Sequence, residues 1–468
     1  MTLIKSISGI RGTIGGTTGD NLTPIDAVKF ASAYGVWVKQ QRQKENYRVV
    51  VGRDARISGA MIQNLVMNTL IGMGIDVIDL GLSTTPTVEV AVPMEHADGG
   101  IILTASHNPK QWNALKLLDA NGEFLNATEG ARILNIAEQN NIEFSEVDDL
   151  GKIITNEAYI DIHIDEVLNL ELVNKKAIED GNFKVVVDGV NSTGGIAIPL
   201  LLERLGVEPV KLYCEPNGHF PHNPEPLKEH LTDLSQAVVK HNADFGIVVD
   251  PDVDRLAFMD ENGEMFGEEY TLVACADYVL GKTKGNTVSN MSSTRALRDV
   301  TEKHGGTYQA SAVGEVNVVN LMKKTKAVIG GEGNGGIIYP ELHYGRDALV
   351  GVALFLSLLA EKKMSVSQLR GSYPNYFMSK KKIQLTPDLD VDGLLKAMEL
   401  KYSEDSSVEN LTTLDGVKID FANQWVHLRK SNTEPIVRIY TEAPSQEQAD
   451  ALADKIIEEI KETAKVGE

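Results

Sequence analysis

The chain has 468 residues, which at roughly 100 to 200 residues per domain predicts about three or four domains rather than one compact core. Its 45 Lys and Arg stand against 66 Asp and Glu, and the formal net charge of −21 argues against a nucleic acid partner or an anionic membrane surface. The sequence shows no signal-peptide hydrophobic region and no apolar run long enough to span a bilayer, so we expect a cytoplasmic protein.

Taken in chain order, several segments join a short β-branched and aliphatic run to a polar loop, and often to a helix-like pattern. They are RVVVGRDARISGAMIQNLVMNTLIGMG (48–74), GIILTASHNP (100–109), KVVVDGVNSTGGIAIPLLLERLG (184–206), FGIVVDPDVDR (245–255) and AVIGGEGNGG (327–336). Apolar strands that alternate with helices predict parallel sheets covered by helices. Ligands bind at the carboxyl ends of such strands, so these polar loops are the expected site.

Local signals also mark helix starts and a change of style near the C-terminus. Thr23 and Pro24 give an N-cap and a first-turn proline, and Asp347 is a candidate N-cap for ALVGVALFLSLLAEKK. From about residue 378 the pattern changes to alternating strands, a hairpin-like loop and a terminal amphipathic helix. We therefore predict an α/β fold with three related α/β domains at 1–155, 156–263 and 264–377, followed by a smaller α+β domain at 378–468.

The stretch DPDVDR places three carboxylates at alternate positions directly after the apolar run FGIVV. Asp250, Asp252 and Asp254 could converge on one hard cation and leave coordination positions open for a phosphate. An EF-hand is excluded because Arg255 takes the place of the required glycine and the preceding residues are strand-like. The alternative is a solvated turn, although close carboxylates without a cation repel one another.

The stretch TASHNP contains Ser106, which needs a base, a metal or an attached phosphate before it can act as a nucleophile near neutral pH. It does not match a GxSxG elbow. His107, Asn108, Asn113 and Lys116 supply nearby donors suited to a phosphate. On this stretch alone, a turn or helix-capping serine is the preferred interpretation.

The stretch RKSNTEP lies between the alternating runs WVHL and IVRIY. Arg429, Lys430, Ser431, Asn432 and Thr433 offer two cations and three hydroxyl or amide side chains that could cradle a phosphate dianion. The alternative is an ordinary polar hairpin loop.

The glycine-rich stretch GGEGNGG lacks both the Walker lysine and the Rossmann spacing, so it is not a nucleotide signature. Glu332 and Asn334 could hydrogen-bond vicinal sugar hydroxyls. A simple glycine turn explains the same residues.

Together and in this order, SGIRG, TASHNP, DPDVDR, GEGNGG and RKSNTEP resemble the α-D-phosphohexomutases over essentially the whole chain. The resemblance implies four domains around a central cleft. It implies that Ser106 is the phosphorylated catalytic serine, and that Asp250, Asp252 and Asp254 bind Mg²⁺ together with the phosphate on that serine. Nucleophile and metal would then lie at adjacent strand ends.

The resemblance also implies roles for the surrounding side chains. Arg11 in SGIRG and Lys116 would stabilise charge or move protons beside the phosphoserine, with His107 next to it and Arg255 beside the metal loop. The remaining side chains would bind substrate: Glu332 and Asn334 the sugar hydroxyls, and Arg429, Ser431, Asn432 and Thr433 the distal phosphate.

The expected reaction moves a phosphoryl group from phospho-Ser106 to a hexose 6-phosphate, and a 1,6-bisphosphate serves as intermediate and activator. In the sugar loop, Asn334 and Gly336 stand where many bacterial relatives carry serine and histidine, and YGRDAL follows. This version resembles the archaeal-type branch usually assigned to glucosamine phosphate. Ala114 and Glu315 also depart from common family patterns.

Several functional alternatives remain open at this point. Glucose or mannose phosphate could replace the amino sugar, because hexoses differ by single hydrogen bonds. A Mg²⁺-dependent phosphatase with an aspartate nucleophile, or a sugar-phosphate sensor without turnover, would use only some of the five loops. The expected partner is a small-molecule sugar phosphate, and the chain could be a monomer or a homodimer.

Overall fold

The computed structural model describes residues 1–6, 9–139, 142–384, 390–430 and 436–466, which form four sheets with helices packed on them. The first sheet has seven strands, in the order β1-β2-β6-β5-β3-β4-β7. Its strands are β1 (Ile4–Ser6), β2 (Gly9–Thr13), β3 (Tyr47–Arg53), β4 (Ile75–Leu82), β5 (Gly99–Leu103), β6 (Trp112–Leu118) and β7 (Ile153–Thr155). Its helices are α1 (Pro24–Gln41), α2 (Gly59–Gly72), α3 (Thr85–Met94) and α4 (Ala127–Gln139).

The second and third sheets have four strands each. The second contains β8 (Lys184–Asp188), β9 (Glu208–Leu212), β10 (Phe245–Val249) and β11 (Leu256–Met259), with α5 (Tyr159–Leu168), α6 (Lys175–Gly181), α7 (Gly194–Arg204) and α8 (Thr232–Lys240). The third contains β12 (Asn286–Asn290), β13 (Tyr308–Ser311), β14 (Ala327–Glu332) and β15 (Gly336–Ile338). Its helices are α9 (Glu268–Lys282), α10 (Ala296–Lys303), α11 (Glu315–Thr325), α12 (Ala348–Lys362) and α13 (Val366–Gly371).

The fourth sheet has five antiparallel strands in the order β16-β20-β19-β18-β17. They are β16 (Phe377–Gln384), β17 (Val408–Thr412), β18 (Val417–Phe421), β19 (Trp425–Lys430) and β20 (Ile436–Ala443). Helices α14 (Val391–Ser403) and α15 (Gln446–Val466) accompany this sheet. The fold class predicted from the sequence, three related α/β units followed by a smaller α+β unit, is confirmed.

The three α/β sheets repeat one topology. Each contains a unit of four consecutive strands, which in the first sheet is β3 to β6. The first strand of the unit lies between the second and the third and runs parallel to both. The fourth strand pairs with the third and runs antiparallel to it. The prediction of parallel sheets is therefore wrong for the returning strands β6, β11 and β15. Only short loops precede them, such as 250–255 and 333–335, whereas a parallel connection needs a crossover of a dozen or more residues.

The helix α12 anchors the second and third sheets in one core. Every residue from Ala348 to Leu359 is buried, and Phe355 stacks on Phe258 with ring centroids 3.7 Å apart. Asp347 caps this helix by accepting from the backbone N–H of Leu349 at 2.8 Å, which confirms the predicted N-cap. The predicted cap before α1 is also confirmed. Within the described ranges no helix is long and apolar enough to cross a membrane.

Candidate active site

The loop after β5 meets the loop after β10 at the boundary between the first two sheets. Ser106 Oγ donates to Asp250 Oδ2 at 2.7 Å, although 144 residues separate the two in the chain. The two loops belong to different sheets, as the predicted domain bounds require. The contact between Ser106 and Asp250 places the ends of β5 and β10 next to each other, which agrees with the expectation of adjacent strand ends.

Ser106 is held in a constrained loop. Its side chain is buried, and its backbone φ of 47° lies in the left-handed region, which residues other than glycine seldom adopt. The Ser106 N–H donates to Thr104 Oγ1 at 3.0 Å, and the Oγ lies 3.3 Å from His107 Nδ1. Backbone strain of this kind persists where surrounding contacts determine the geometry, which is common at catalytic positions.

Arg56 supplies those contacts from the loop after β3. Its side chain is buried and pairs with Asp54 through Nε to Oδ2 at 3.0 Å. The two terminal nitrogens donate to backbone carbonyls of the serine loop and the strand after it, at Ser106, Asn108, Pro109 and Trp112. The sequence analysis missed Arg56, although a charged Arg-Asp-x-Arg stretch directly after a buried strand is a usable signal.

The three aspartates form a buried cluster that fits a hard cation. Asp250, Asp252 and Asp254 are fully buried, and one ligand oxygen from each lies within 4.8 Å of the others. Asp252 Oδ1 and Asp254 Oδ1 have no hydrogen-bond partner among the described residues. Burial and the neighbouring carboxylates raise the pKa of Asp250 well above its usual range. A divalent cation at these oxygens would offset both the burial of the negative charges and the repulsion between the carboxylates. The residues present therefore fit Mg²⁺.

Lys116, on β6, balances part of this negative charge. Its ammonium lies 2.7 Å from Asp252 Oδ2 and 3.6 Å from Asp254 Oδ2. Burial opposes a charged amine, but the two aspartates raise the pKa of Lys116, so the ammonium stays protonated. Thr85 Oγ1 also donates to Asp252 Oδ2 at 2.7 Å, which leaves Asp252 Oδ1 as the oxygen free for a cation.

The other predicted catalytic residues lie on or beside the serine and metal loops. Arg11, on β2, donates to Asn108 Oδ1 at 2.9 Å, and Arg255 pairs with Glu225 at 3.2 Å. Burial and the positive charges of Arg255 and Arg11 lower the pKa of His107 to about 2. The imidazole of His107 is therefore neutral at physiological pH and acts as a hydrogen-bonding group.

The sugar loop begins at the end of β14, where Glu332 is already engaged by protein donors. Its Oε1 accepts from Asn290 Nδ2 at 2.8 Å and from the N–H of Gly314 at 3.2 Å, and its Oε2 accepts from Arg346 at 3.0 Å. Burial opposes ionisation of this carboxyl, yet Arg346 and Asn290 lower the pKa of Glu332. Asn334 lies beside it, with Nδ2 at 3.5 Å from Oε2. The carboxylate is thus ionised and fixed in orientation by these protein donors.

The fourth sheet contacts the third through Asp415, which also pairs with Arg429, the first residue of the predicted phosphate loop. Arg429, at the end of β19, pairs with Asp415 at 3.1 Å, and the same carboxylate accepts from the N–H of Val313 at 3.0 Å. Val313 precedes Gly314, which donates to the sugar-loop carboxylate. Ser431, Asn432 and Thr433 lie outside the described residues.

Comparison with protein families gives a result for the whole chain. Four families of phosphoglucomutase/phosphomannomutase domains match in order: alpha/beta/alpha domain I at 3–143, alpha/beta/alpha domain II at 161–263, alpha/beta/alpha domain III at 267–376 and the C-terminal domain at 379–459. The chain belongs to the phosphoglucomutase/phosphomannomutase family. It is a phosphohexomutase, an enzyme of the isomerase class, and the resemblance inferred from the five motifs is confirmed.

Individual members of the family resemble this phosphohexomutase along nearly its full length. A Thermococcus kodakarensis protein named "Phosphoglucomutase/phosphomannomutase" is 35% identical over 457 residues, covering 96% of this chain and 98% of the relative. A Methanopyrus kandleri protein named "Probable phosphoglucosamine mutase" is 30% identical over 456 residues, covering 97% of each. The crystal structure of a phosphoglucomutase/phosphomannomutase family protein from Burkholderia thailandensis superposes with a TM-score of 0.84 at 25% identity, covering 99% of this chain and 98% of that one.

Proposed function

We propose that this phosphohexomutase interconverts glucosamine 6-phosphate and glucosamine 1-phosphate through phospho-Ser106 and a bound 1,6-bisphosphate. The observation that carries the proposal is the contact of Ser106 Oγ with Asp250, inside a buried cluster of three aspartates. The name of the Methanopyrus kandleri relative supports the amino sugar. The name of the Thermococcus kodakarensis relative favours glucose and mannose phosphates as the second candidate substrates.

The proposed reaction is two phosphoryl transfers with one reorientation between them. A free sugar hydroxyl attacks the phosphorus on Ser106, the bond from phosphorus to Oγ breaks, and the freed Oγ gains in net the proton that the hydroxyl loses, which gives the 1,6-bisphosphate and a free serine hydroxyl. The bisphosphate turns over in the cleft, Oγ attacks the phosphorus of the other phosphate, and the bond from that phosphorus to the sugar oxygen breaks. The released sugar oxygen gains the proton that Oγ loses, so the protons balance over the cycle.

The chain's own residues position and neutralise these groups. The left-handed turn at Ser106 holds the phosphate-bearing oxygen at the boundary between the first two sheets, where Arg11 and the protonated Lys116 place positive charge. The neutral His107 supplies a hydrogen bond next to Oγ. Arg255 adds a further cation beside the metal loop.

Mg²⁺ would be held by the three aspartates and by the phosphate on Ser106, and a hexose 1,6-bisphosphate would be the activator that phosphorylates the serine. When bound, Mg²⁺ supplies positive charge to the oxygens of the transferring phosphoryl group. Both Asp252 and Asp254 keep one oxygen free for this purpose.

The substrate would be bound from the third and fourth sheets. We propose that Glu332 and Asn334 bind the sugar hydroxyls and that Arg429, Ser431, Asn432 and Thr433 bind the phosphate that is not reacting. Under this assignment each predicted domain contributes one loop to the site, namely the serine loop from 1–155, the metal loop from 156–263, the sugar loop from 264–377 and the phosphate loop from 378–468.

Phosphorus NMR tests the proposal directly. The protein is incubated with Mg²⁺, a catalytic amount of hexose 1,6-bisphosphate and, separately, the 6-phosphates of glucosamine, glucose and mannose. Rapid equilibration of glucosamine 6-phosphate alone supports the proposal, whereas equal use of the other sugars overturns the selectivity. Release of inorganic phosphate alone would show a phosphatase.

Ser106→Ala separates the mutase from the remaining alternatives. A mutase loses nearly all turnover in this variant, whereas a phosphatase with an aspartate nucleophile keeps its activity. Ser83→Ala is the matched control, because Ser83 is equally buried and its Oγ has no hydrogen-bond partner among the described residues. Loss of activity in both variants would point to general damage.

A further inference from the structure

One arginine outside the predicted site joins the metal loop to the sugar loop. Arg346, in the loop before α12, is 8% exposed and spreads its guanidinium over three carboxylates. Its Nη2 lies 2.7 Å from Asp254 Oδ2, its Nη1 lies 3.0 Å from Glu332 Oε2, and its Nε lies 2.9 Å from Glu315 Oε2. The backbone N–H of Arg346 donates to Glu315 Oε1 at 3.1 Å, so Glu315 fixes the arginine from two sides.

These contacts decide which oxygens remain available to ligands. Arg346 occupies Oδ2 of Asp254 and leaves Oδ1 as a buried oxygen without a partner among the described residues. It also binds Oε2 of Glu332, the oxygen next to Asn334. A planar guanidinium can hold two carboxylates at a fixed angle, which a lysine ammonium cannot do.

The sugar loop has a matching gap for this side chain. A Cβ added at Gly336 would lie 2.3 Å from Arg346 Cδ, closer than any side chain tolerates. A side chain at position 336 would therefore displace the arginine, and Gly336 leaves the space that Arg346 occupies.

We propose that Arg346 is a positioning residue that couples the metal loop to the sugar loop, so that cation binding at Asp254 and sugar binding at Glu332 strengthen each other. This inference rests on the proposed function for the identity of the ligands. One rigid fork orients both carboxylates, so a change in either one is transmitted to the other. The role differs from catalysis, because Arg346 acts through Asp254 and Glu332.

The test compares Arg346→Lys and Arg346→Met with the wild type. Calorimetric titration gives the Mg²⁺ affinity and the glucosamine 6-phosphate affinity, each with and without the other ligand, and steady-state kinetics gives kcat and KM. Removing an outer partner of a metal ligand costs about 10- to 100-fold in affinity or activity, and we expect Arg346→Met to lose about tenfold or more at both sites. Lysine should restore one of the two affinities only, because a point charge cannot hold both carboxylates.

Thermal unfolding and a matched control exclude a purely structural effect. Arg370→Lys removes an arginine fork that contacts Phe266 O and Asn375, away from both loops, and should leave both affinities unchanged. If Arg346→Met does not fold, Glu315→Gln keeps the arginine but weakens its hold, and a smaller parallel loss at both sites is expected.

The outcomes separate this inference from the proposed function. The coupling is overturned if a folded Arg346→Met variant shows the same increase in the affinity for each ligand, on binding of the other, as the wild type. It is also overturned if this variant loses affinity for only one of the two ligands. A wild type that binds glucosamine 6-phosphate but turns over only glucose 6-phosphate overturns the proposed substrate. In that case the double titration still decides the role of Arg346, because coupling of two ligands is reciprocal and needs no turnover.

Discussion

Replacing Arg56 tests how the serine loop is held in its constrained geometry. In the wild type, this buried side chain pairs with Asp54 and donates to four backbone carbonyls of the segment that carries Ser106. Arg56→Met keeps an unbranched apolar stem but removes every N–H donor of the guanidinium. Arg56→Lys keeps one charge for Asp54 but cannot reach the four carbonyls at once, because its ammonium is a single point of donation.

The size of the expected loss of stability follows from the burial of the ion pair between Arg56 and Asp54. Removing one partner of a buried ion pair costs about 3–5 kcal/mol, because the other charge stays buried without compensation. Among the described residues, Asp54 would keep the donors Thr104 Oγ1, at 2.7 Å, and the N–H of residue 56, at 3.0 Å. Misplacing a reacting group by about 1 Å costs on the order of 100-fold in rate, and a released serine loop allows at least that shift. We therefore expect both lower stability and slower phosphorylation of Ser106 in Arg56→Met, with Arg56→Lys intermediate.

Two measurements check this expectation. Intact-protein mass spectrometry follows phosphate transfer from glucose 1,6-bisphosphate to the serine, and denaturant titration follows the stability. Arg53→Met is the control, since Arg53 donates to Gln63 and to a carbonyl outside the serine loop. If Arg56→Met phosphorylates at the wild-type rate and unfolds at the wild-type denaturant concentration, the loop does not depend on Arg56 and the reasoning is refuted.

Two further substitutions have defined outcomes. Asp252→Asn should weaken Mg²⁺ binding and turnover together, because Lys116 loses the nearer of its two carboxylate partners and the cation loses a charged ligand. Unchanged activity at limiting Mg²⁺ would contradict this. Asp347→Asn keeps a good cap for α12 but removes the charge that His163 and His343 contact at 2.9 and 3.1 Å. Burial opposes ionisation of Asp347, yet these histidines lower its pKa. The Asp347 carboxylate therefore stabilises the folded state at pH values above its unfolded-state pKa, and this stabilisation is lost as the pH falls below about 4. The gap in melting temperature between wild type and Asp347→Asn should close over that range, and a constant gap would contradict the assignment.

Local patterns in the sequence were sufficient to predict the strands, the loops that follow them and the caps before α1 and α12. Each of these depends on residues close in the chain, such as the run FGIVV and the carboxylates after it. The acidic cluster could be predicted for the same reason, because all three aspartates lie in one loop of six residues. The antiparallel direction of the returning strands follows from the short loops before them, and the lengths of these loops could also be estimated from the sequence.

The contacts of the supporting side chains could not be predicted because their partners are distant in the chain. Arg56 contacts a loop about 50 residues away, Arg346 contacts Asp254 across 92 residues and Thr85 contacts Asp252 across 167. No local spacing identifies such pairs. The engagement of Glu332 by Asn290, Gly314 and Arg346 was hidden for the same reason.

The repeated topology explains where the supporting side chains come from. In each α/β unit the first and third strands are parallel neighbours, so the loops after them emerge side by side. The third-strand loop contains the serine, the aspartates or the sugar-loop glutamate, and the first-strand loop holds its backbone. Arg56 does this for the serine loop, Ser192 donates to Pro251 O at 2.7 Å in the metal loop, and Ser293 accepts from the N–H of Gly333 at 2.9 Å in the sugar loop. One geometric relation therefore supports all three loops, and substitutions in the first-strand loops should impair the site without removing any group that contacts substrate.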